Sequence, residues 1–146
     1  MPPHEAIASD RSLPTTSRPF TVQRANDSLV LVRKVVADIV AKYKELSDLR
    51  AALATLGNGR ERAEEREQLK AAADACVEML NRLYRELLDV GCVLKDWRIG
   101  LVDFPAVLDG RRVWLCWRLG EGEVAWWHEL NDGFTARKPT RGRFET

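Results

Sequence analysis

Four of the chain's five tryptophans lie between positions 114 and 127, in company with Cys116 and Arg118, and His128 follows one step beyond. These residue types, with Asp103 upstream, admit three kinds of chemistry. The pair His128 and Glu129 raises a metal or acid–base role. A zinc-protease helix needs a second histidine one turn on, and position 132 is Asp. His4 is the other histidine, and Cys76, Cys92 and Cys116 lack the paired spacing of a structural zinc site. No metal and no cofactor is therefore assigned. Cys116 can serve as a nucleophile if His128 is its base and Asp103 orients the ring. Cysteine is also commonly a small buried hydrophobe. Trp114 and Trp127, with Arg112 and Arg118, can stack on planar ligands and neutralise phosphates. The candidate ligand or interaction surface is thus Asp103, Trp114, Cys116, Arg118, Trp127, His128 and Glu129, with Arg137 from the basic tail.

Short antiparallel strands must position these side chains. Residues 101–108 and 111–119 alternate as strands around Asp109-Gly110, a dipeptide favoured in two-residue hairpin turns. That turn sets Phe104 opposite Leu115 and Val102 opposite Trp117 on one face. Asp103 opposite Cys116, and Leu101 opposite Arg118, fall on the other. Pro105 cannot donate to a ladder, which predicts an edge or a bulge there. Residues 92–97, CVLKDW, supply another strand and 124–129 the last, after a turn at 120–122. A loop of three or of four residues fits that turn, and a one-residue slip moves His128 to the opposite face.

Upstream, Thr21 is placed to cap a helix that starts at Val22. Apolar residues then recur in threes and fours through Ala25, Leu29, Val32, Val36, Ile39, Tyr43 and Leu46, a seam of helical period. Positions 57–59, Gly-Asn-Gly, end this helix. The seam resumes at Leu69, Ala73, Cys76, Leu80, Leu83, Leu87 and Val90, and Gly91 terminates it. Folding back at the glycines aligns the two seams along their shared length, so an antiparallel hairpin is expected. Val35, Val40, Leu49, Leu56, Val77, Tyr84 and Leu88 lie off the seam. The sheet can cover part of that surface, and a second copy of the hairpin the rest, which predicts a homodimer.

With 146 residues, 45% of them hydrophobic and 31% charged, the chain suits one globular domain. A net charge of +1 provides no field toward nucleic acid or anionic membrane. No apolar run is long enough to span a bilayer, and the first twenty residues lack a secretory core. Three unpaired cysteines fit a reducing compartment, so the expected location is the cytoplasm. Residues 1–19 carry four prolines and read as a flexible arm. Residues 20–139 form the domain, with helices over 20–57 and 60–90 and strands over 92–130, and residues 140–146 form a tail.

The strings FTVQRANDSLVLVRKVV, GLVDFP, VWLCWRLGE and WWHEL, followed by Gly133-Phe134 and Arg137, are similar to bacterial domain-of-unknown-function family 2203. The resemblance runs from about Phe20 to Pro139. It implies a long helical hairpin followed by a compact β element, and it implies no activity, substrate or partner. The expected class is therefore α+β: a two-helix hairpin, then an antiparallel sheet of three to four strands. The expected function is a non-enzymatic interaction or scaffold role through the hairpin. The alternative is a small-ligand-binding protein or enzyme using the sheet's Trp, Arg, Asp, Cys and His side chains.

Overall fold

The computed structural model describes residues 18–144. The arm expected over 1–19 falls almost wholly outside these residues. Helix α1, Val22–Leu56, begins where Thr21 accepts a hydrogen bond from the Arg24 amide through its hydroxyl. It runs for 35 residues, about 52 Å at 1.5 Å per residue, and Gly57 closes it with φ +71°. A 3-10 turn, Arg60–Arg62, leads into α2, Ala63–Val90, and Gly91 ends that helix in the left-handed conformation.

The inner seam residues are the buried ones: Ala25, Leu29, Val32, Val36, Ile39 and Leu46 on α1, with Ala73, Cys76, Leu80 and Leu87 on α2. Val35 and Tyr84, off the seam, are buried too, because the sheet lies over that side. Trp97 marks the contact, its ring 6.4 Å from that of Tyr43 and 5.3 Å from that of Tyr84. Beyond it the hairpin projects alone. From position 47 to position 72 no residue is buried, although Leu49, Leu53, Leu56 and Leu69 recur there at helical spacing.

The sheet has five strands rather than three or four, in sequential antiparallel order: β1 Val93–Asp96, β2 Leu101–Leu108, β3 Arg111–Arg118, β4 Trp126–Glu129 and β5 Lys138–Pro139. The fifth is only two residues long and includes a proline, so it carries no alternation that a sequence could display. Between β2 and β3, Asp109 and Gly110 both take positive φ, 53° and 78°, as the favoured hairpin turn requires. The register is the expected one, with Phe104 opposite Leu115 and Asp103 opposite Cys116. Pro105 sits past the last β1 partner of β2, where the missing amide hydrogen interrupts no ladder. Its carbonyl accepts from the Phe20 amide at 2.7 Å, and Phe20 forms a parallel bridge with Ala106.

The last turn differs from expectation. Residues 119–125 separate β3 from β4, so the loop is neither three nor four residues long, and the last strand begins at Trp126 rather than 124. Val124 is held off the strand because its amide donates to Asn26 Oδ1 on α1 at 2.6 Å. Gly122 is held by the Trp117 indole N–H at 2.9 Å and by Arg33 at 2.9 Å. Among the described residues no helix is long and apolar enough to cross a membrane.

Candidate functional site

Strand alternation divides the sheet. Val102, Phe104, Ala106 and Leu108 of β2, Val113, Leu115 and Trp117 of β3, and Trp127 of β4 join the helices in one core. The opposite face carries Asp103, Trp114, Cys116, Trp126 and His128, since Cys116 pairs with Trp126 and Trp114 with His128. Of the two loop choices left open by the sequence, the observed register is equivalent to the one that brings His128 to Asp103 and Cys116.

Asp103, Cys116 and His128 come from three adjacent strands and are 1%, 0% and 3% exposed. One ligand atom from each lies within 4.8 Å of the others. His128 Nδ1 is 2.8 Å from the Glu129 carbonyl oxygen. That oxygen only accepts, so Nδ1 carries a hydrogen. Nε2 then faces Asp103 Oδ2 at 3.0 Å. Two lone pairs cannot meet at that distance, so a second positive centre must lie between them. In the protein alone it is a proton, held between the two side chains. Burial alone pulls the His128 pKa down. The hydrogen bond and charge of Asp103, aided by the Glu129 carbonyl, outweigh it and leave the pKa raised. Asp103 Oδ1 is buried without a hydrogen-bond partner.

Burial, helped by the negative charge of Asp103, pushes the Cys116 thiol up to about 12. Both ring nitrogens of His128 are engaged elsewhere, so neither is free to take the thiol's proton. This is the reverse of an activated nucleophile. Arg137 reaches the sulfur at 3.9 Å through Nη1, places its guanidinium carbon 4.2 and 4.7 Å from the ring centres of Phe134 and Trp126, and pairs bidentately with Glu121. Glu121 also accepts from the Arg118 amide at 2.8 Å. Burial works to raise the Glu121 pKa, but the hydrogen bonds and charge of Arg137 and Arg118 win and hold it below the usual carboxylate range.

The remaining candidates separate. Trp114 shares the face of the cluster but is 5% exposed, with the Lys95 ammonium 4.4 Å above its ring. Arg118 is exposed and lies 5.9 Å from Phe134. Trp127 and Glu129 belong to the other side: Trp127 is core beside Phe144, and Glu129 pairs with Arg111 at 2.6 Å. A single open surface of Trp114, Trp127 and arginine is thus corrected, because the two indoles are buried on opposite faces of one strand pair. Trp126 and Glu121 were missed as partners of Arg137. Trp126 could have been found from its spacing of two residues from His128. Glu121 could not, because an acidic turn gives no signal of the distant arginine that folds onto it.

No annotated protein and no solved structure matches the chain. The profile of the family described as "Uncharacterized conserved protein (DUF2203)" matches residues 18–140, from just before the Thr21 cap to the end of β5, and the chain belongs to that family.

Proposed function

We propose that this protein is a non-enzymatic, cytoplasmic interaction protein that self-associates through the outer half of its helical hairpin. The observation that carries this reading is the stretch from 47 to 72, helical over most of its length yet without a buried residue. Isolated helical turns are marginal in water, and tertiary burial supplies most helical stability. Leu49, Leu53 and Leu56 on α1 and Leu69 on α2 are only half-covered by the facing helix, so a second hairpin laid against them completes a four-helix core.

The charges of this segment suit a second copy of the same chain. Arg50, Arg60, Arg62, Arg66 and Lys70 are matched in number by Asp48, Glu61, Glu64, Glu65 and Glu67, so two identical tips meet without net repulsion. A groove of ≈ 390 Å³ runs along α1 past Ala41, Leu49 and Ala52, small enough at the alanines for close helix approach. All three cysteines are buried and free, which supports a reducing compartment. An open ligand or catalytic surface on the sheet has less support, since its chemical groups are buried and its thiol is un-ionised.

Sedimentation velocity over a wide concentration range tests the proposal. The expected result is a dimer that becomes a folded monomer when Leu49 and Leu53 are both changed to Glu. A wild-type monomer at every concentration overturns it.

A further inference from the structure

A separate proposal concerns the buried face of the sheet and does not depend on self-association. We infer that Asp103, Cys116 and His128 form a binding site for one divalent transition-metal ion of borderline softness, with zinc(II) the best fit to this donor set. A carboxylate oxygen, a thiolate sulfur and an imidazole nitrogen are all accepted zinc ligands. Purely oxygen-loving ions such as magnesium or calcium would be poorly served by the sulfur and the ring.

Four observations support the site. The three donor atoms already lie within 4.8 Å of one another. Tetrahedral zinc with ordinary bond lengths places its ligand atoms roughly 3.3–3.6 Å apart. His128 Nε2 and Asp103 Oδ2, at 3.0 Å, need to part slightly, and the sulfur, within 4.8 Å of both, needs to draw in. Second, the Glu129 carbonyl takes the Nδ1 hydrogen at 2.8 Å, which fixes the ring and aims the Nε2 lone pair inward. Metal-bound histidines are held in this way. Third, Asp103 Oδ1 is buried with no partner, and a buried polar atom left in that state calls for an occupant. Fourth, the charges close. Carboxylate and thiolate offset a dication, while Arg137, itself neutralised by Glu121, stands 3.9 Å from the sulfur and favours its ionised form.

Binding would displace two protons to solvent, one from the Cys116 thiol and one from between Asp103 and His128. The metal would then join β2, β3 and β4 through one centre. Three protein ligands leave a fourth position for water.

The test uses full-length protein stripped with a chelator and titrated with cobalt(II), whose bond to a thiolate gives a charge-transfer band in the near ultraviolet. One cobalt per chain is expected, displaced by zinc(II), with zinc raising the melting temperature. Cys116→Ser should abolish the band. Asp103→Asn and His128→Gln should weaken binding by more than the roughly 10–100-fold that loss of an outer partner costs. Asp103→Asn keeps a hydrogen bond to Nε2, so it decides the matter if Cys116→Ser fails to fold by circular dichroism. No band in the wild type overturns the site. So does a band of unchanged affinity in folded Cys116→Ser, which would belong to Cys76 or Cys92, or unchanged affinity in folded Asp103→Asn.

Discussion

Asp103 on β2 and His128 on β4 meet at 3.0 Å across the width of β3. Strands lie about 4.8 Å apart, so the two side chains reach over the central strand and close above it, beside Cys116. The contact ties together strands that share no backbone hydrogen bond.

The two ways of removing that contact should differ sharply in metal-free protein. Asp103→Ala leaves a buried imidazole facing nothing and should destabilise by about 3–5 kcal/mol. Asp103→Asn places an amide N–H against Nε2 of the ring whose Nδ1 hydrogen is already committed, and should cost much less. Urea unfolding of both variants in the presence of chelator measures the difference, and equal costs would show that the pair is not hydrogen-bonded as described.

Arg137 and Glu121 give the protein an acid-side pH dependence. The folded-state pKa of Glu121 is held down, so its contribution is present above the unfolded value of about 4.3. It is lost as pH falls through the lowered one. Arg137→Gln removes the main partner. The melting temperature of this variant should therefore lie below that of wild type at pH 6 and converge toward it as the pH approaches 3. Parallel curves with a constant gap would contradict the ion pair's role.

Cys92 and Cys116 are both pushed up to about 12, chiefly by burial, and Cys76 is buried against the seam. A thiol-specific disulfide reagent at pH 8 should therefore find no rapidly reacting cysteine in the native protein and all three after denaturation. Rapid labelling of one thiol in the folded state would place that residue at the surface.

Gly100 has φ +74°, and a Cβ there would come within 2.7 Å of Val36 Cγ1 and 2.8 Å of Leu119 Cβ. Gly120 has φ +100° with open space around it. Alanine at position 120 meets backbone strain alone, whereas alanine at 100 adds overpacking of about 1–3 kcal/mol. Thermal unfolding should rank Gly100→Ala well below Gly120→Ala.

Much of this architecture was legible because each local signal agreed with its neighbour. Thr21, the glycines at 57 and 59, and Gly91 bracket the helices where the seams begin and end. Asp109-Gly110 fixed the β2–β3 register, and with it the meeting of Asp103 and Cys116. The position of His128 was not legible. The seven-residue link from β3 to β4 is shaped by Asn26 and Arg33 on a helix about ninety residues away, and no local pattern in the link records those partners. Arg137 could be noticed as a basic residue, but its place over the sulfur depends on Glu121, Trp126 and Phe134 together. Burial was also misjudged for the indoles. Trp114 and Trp127 sit on neighbouring strands, yet the pleat sends their indoles to opposite sides.

The connections described above between Phe20 and Pro105, Arg33 and Gly122, and Asn26 and Val124 have a kinetic consequence. Apart from the side-chain packing of helices on sheet, the fold is local: one helix returns along its neighbour, and each strand pairs with the next in sequence. Hairpin and meander can each form by closing short loops, which is fast, while these few contacts close a loop of most of the chain. Docking of two preassembled halves should then be the slow step. A break in the chain at the glycine that ends α2 would turn that step from a first-order event into one whose rate rises with concentration.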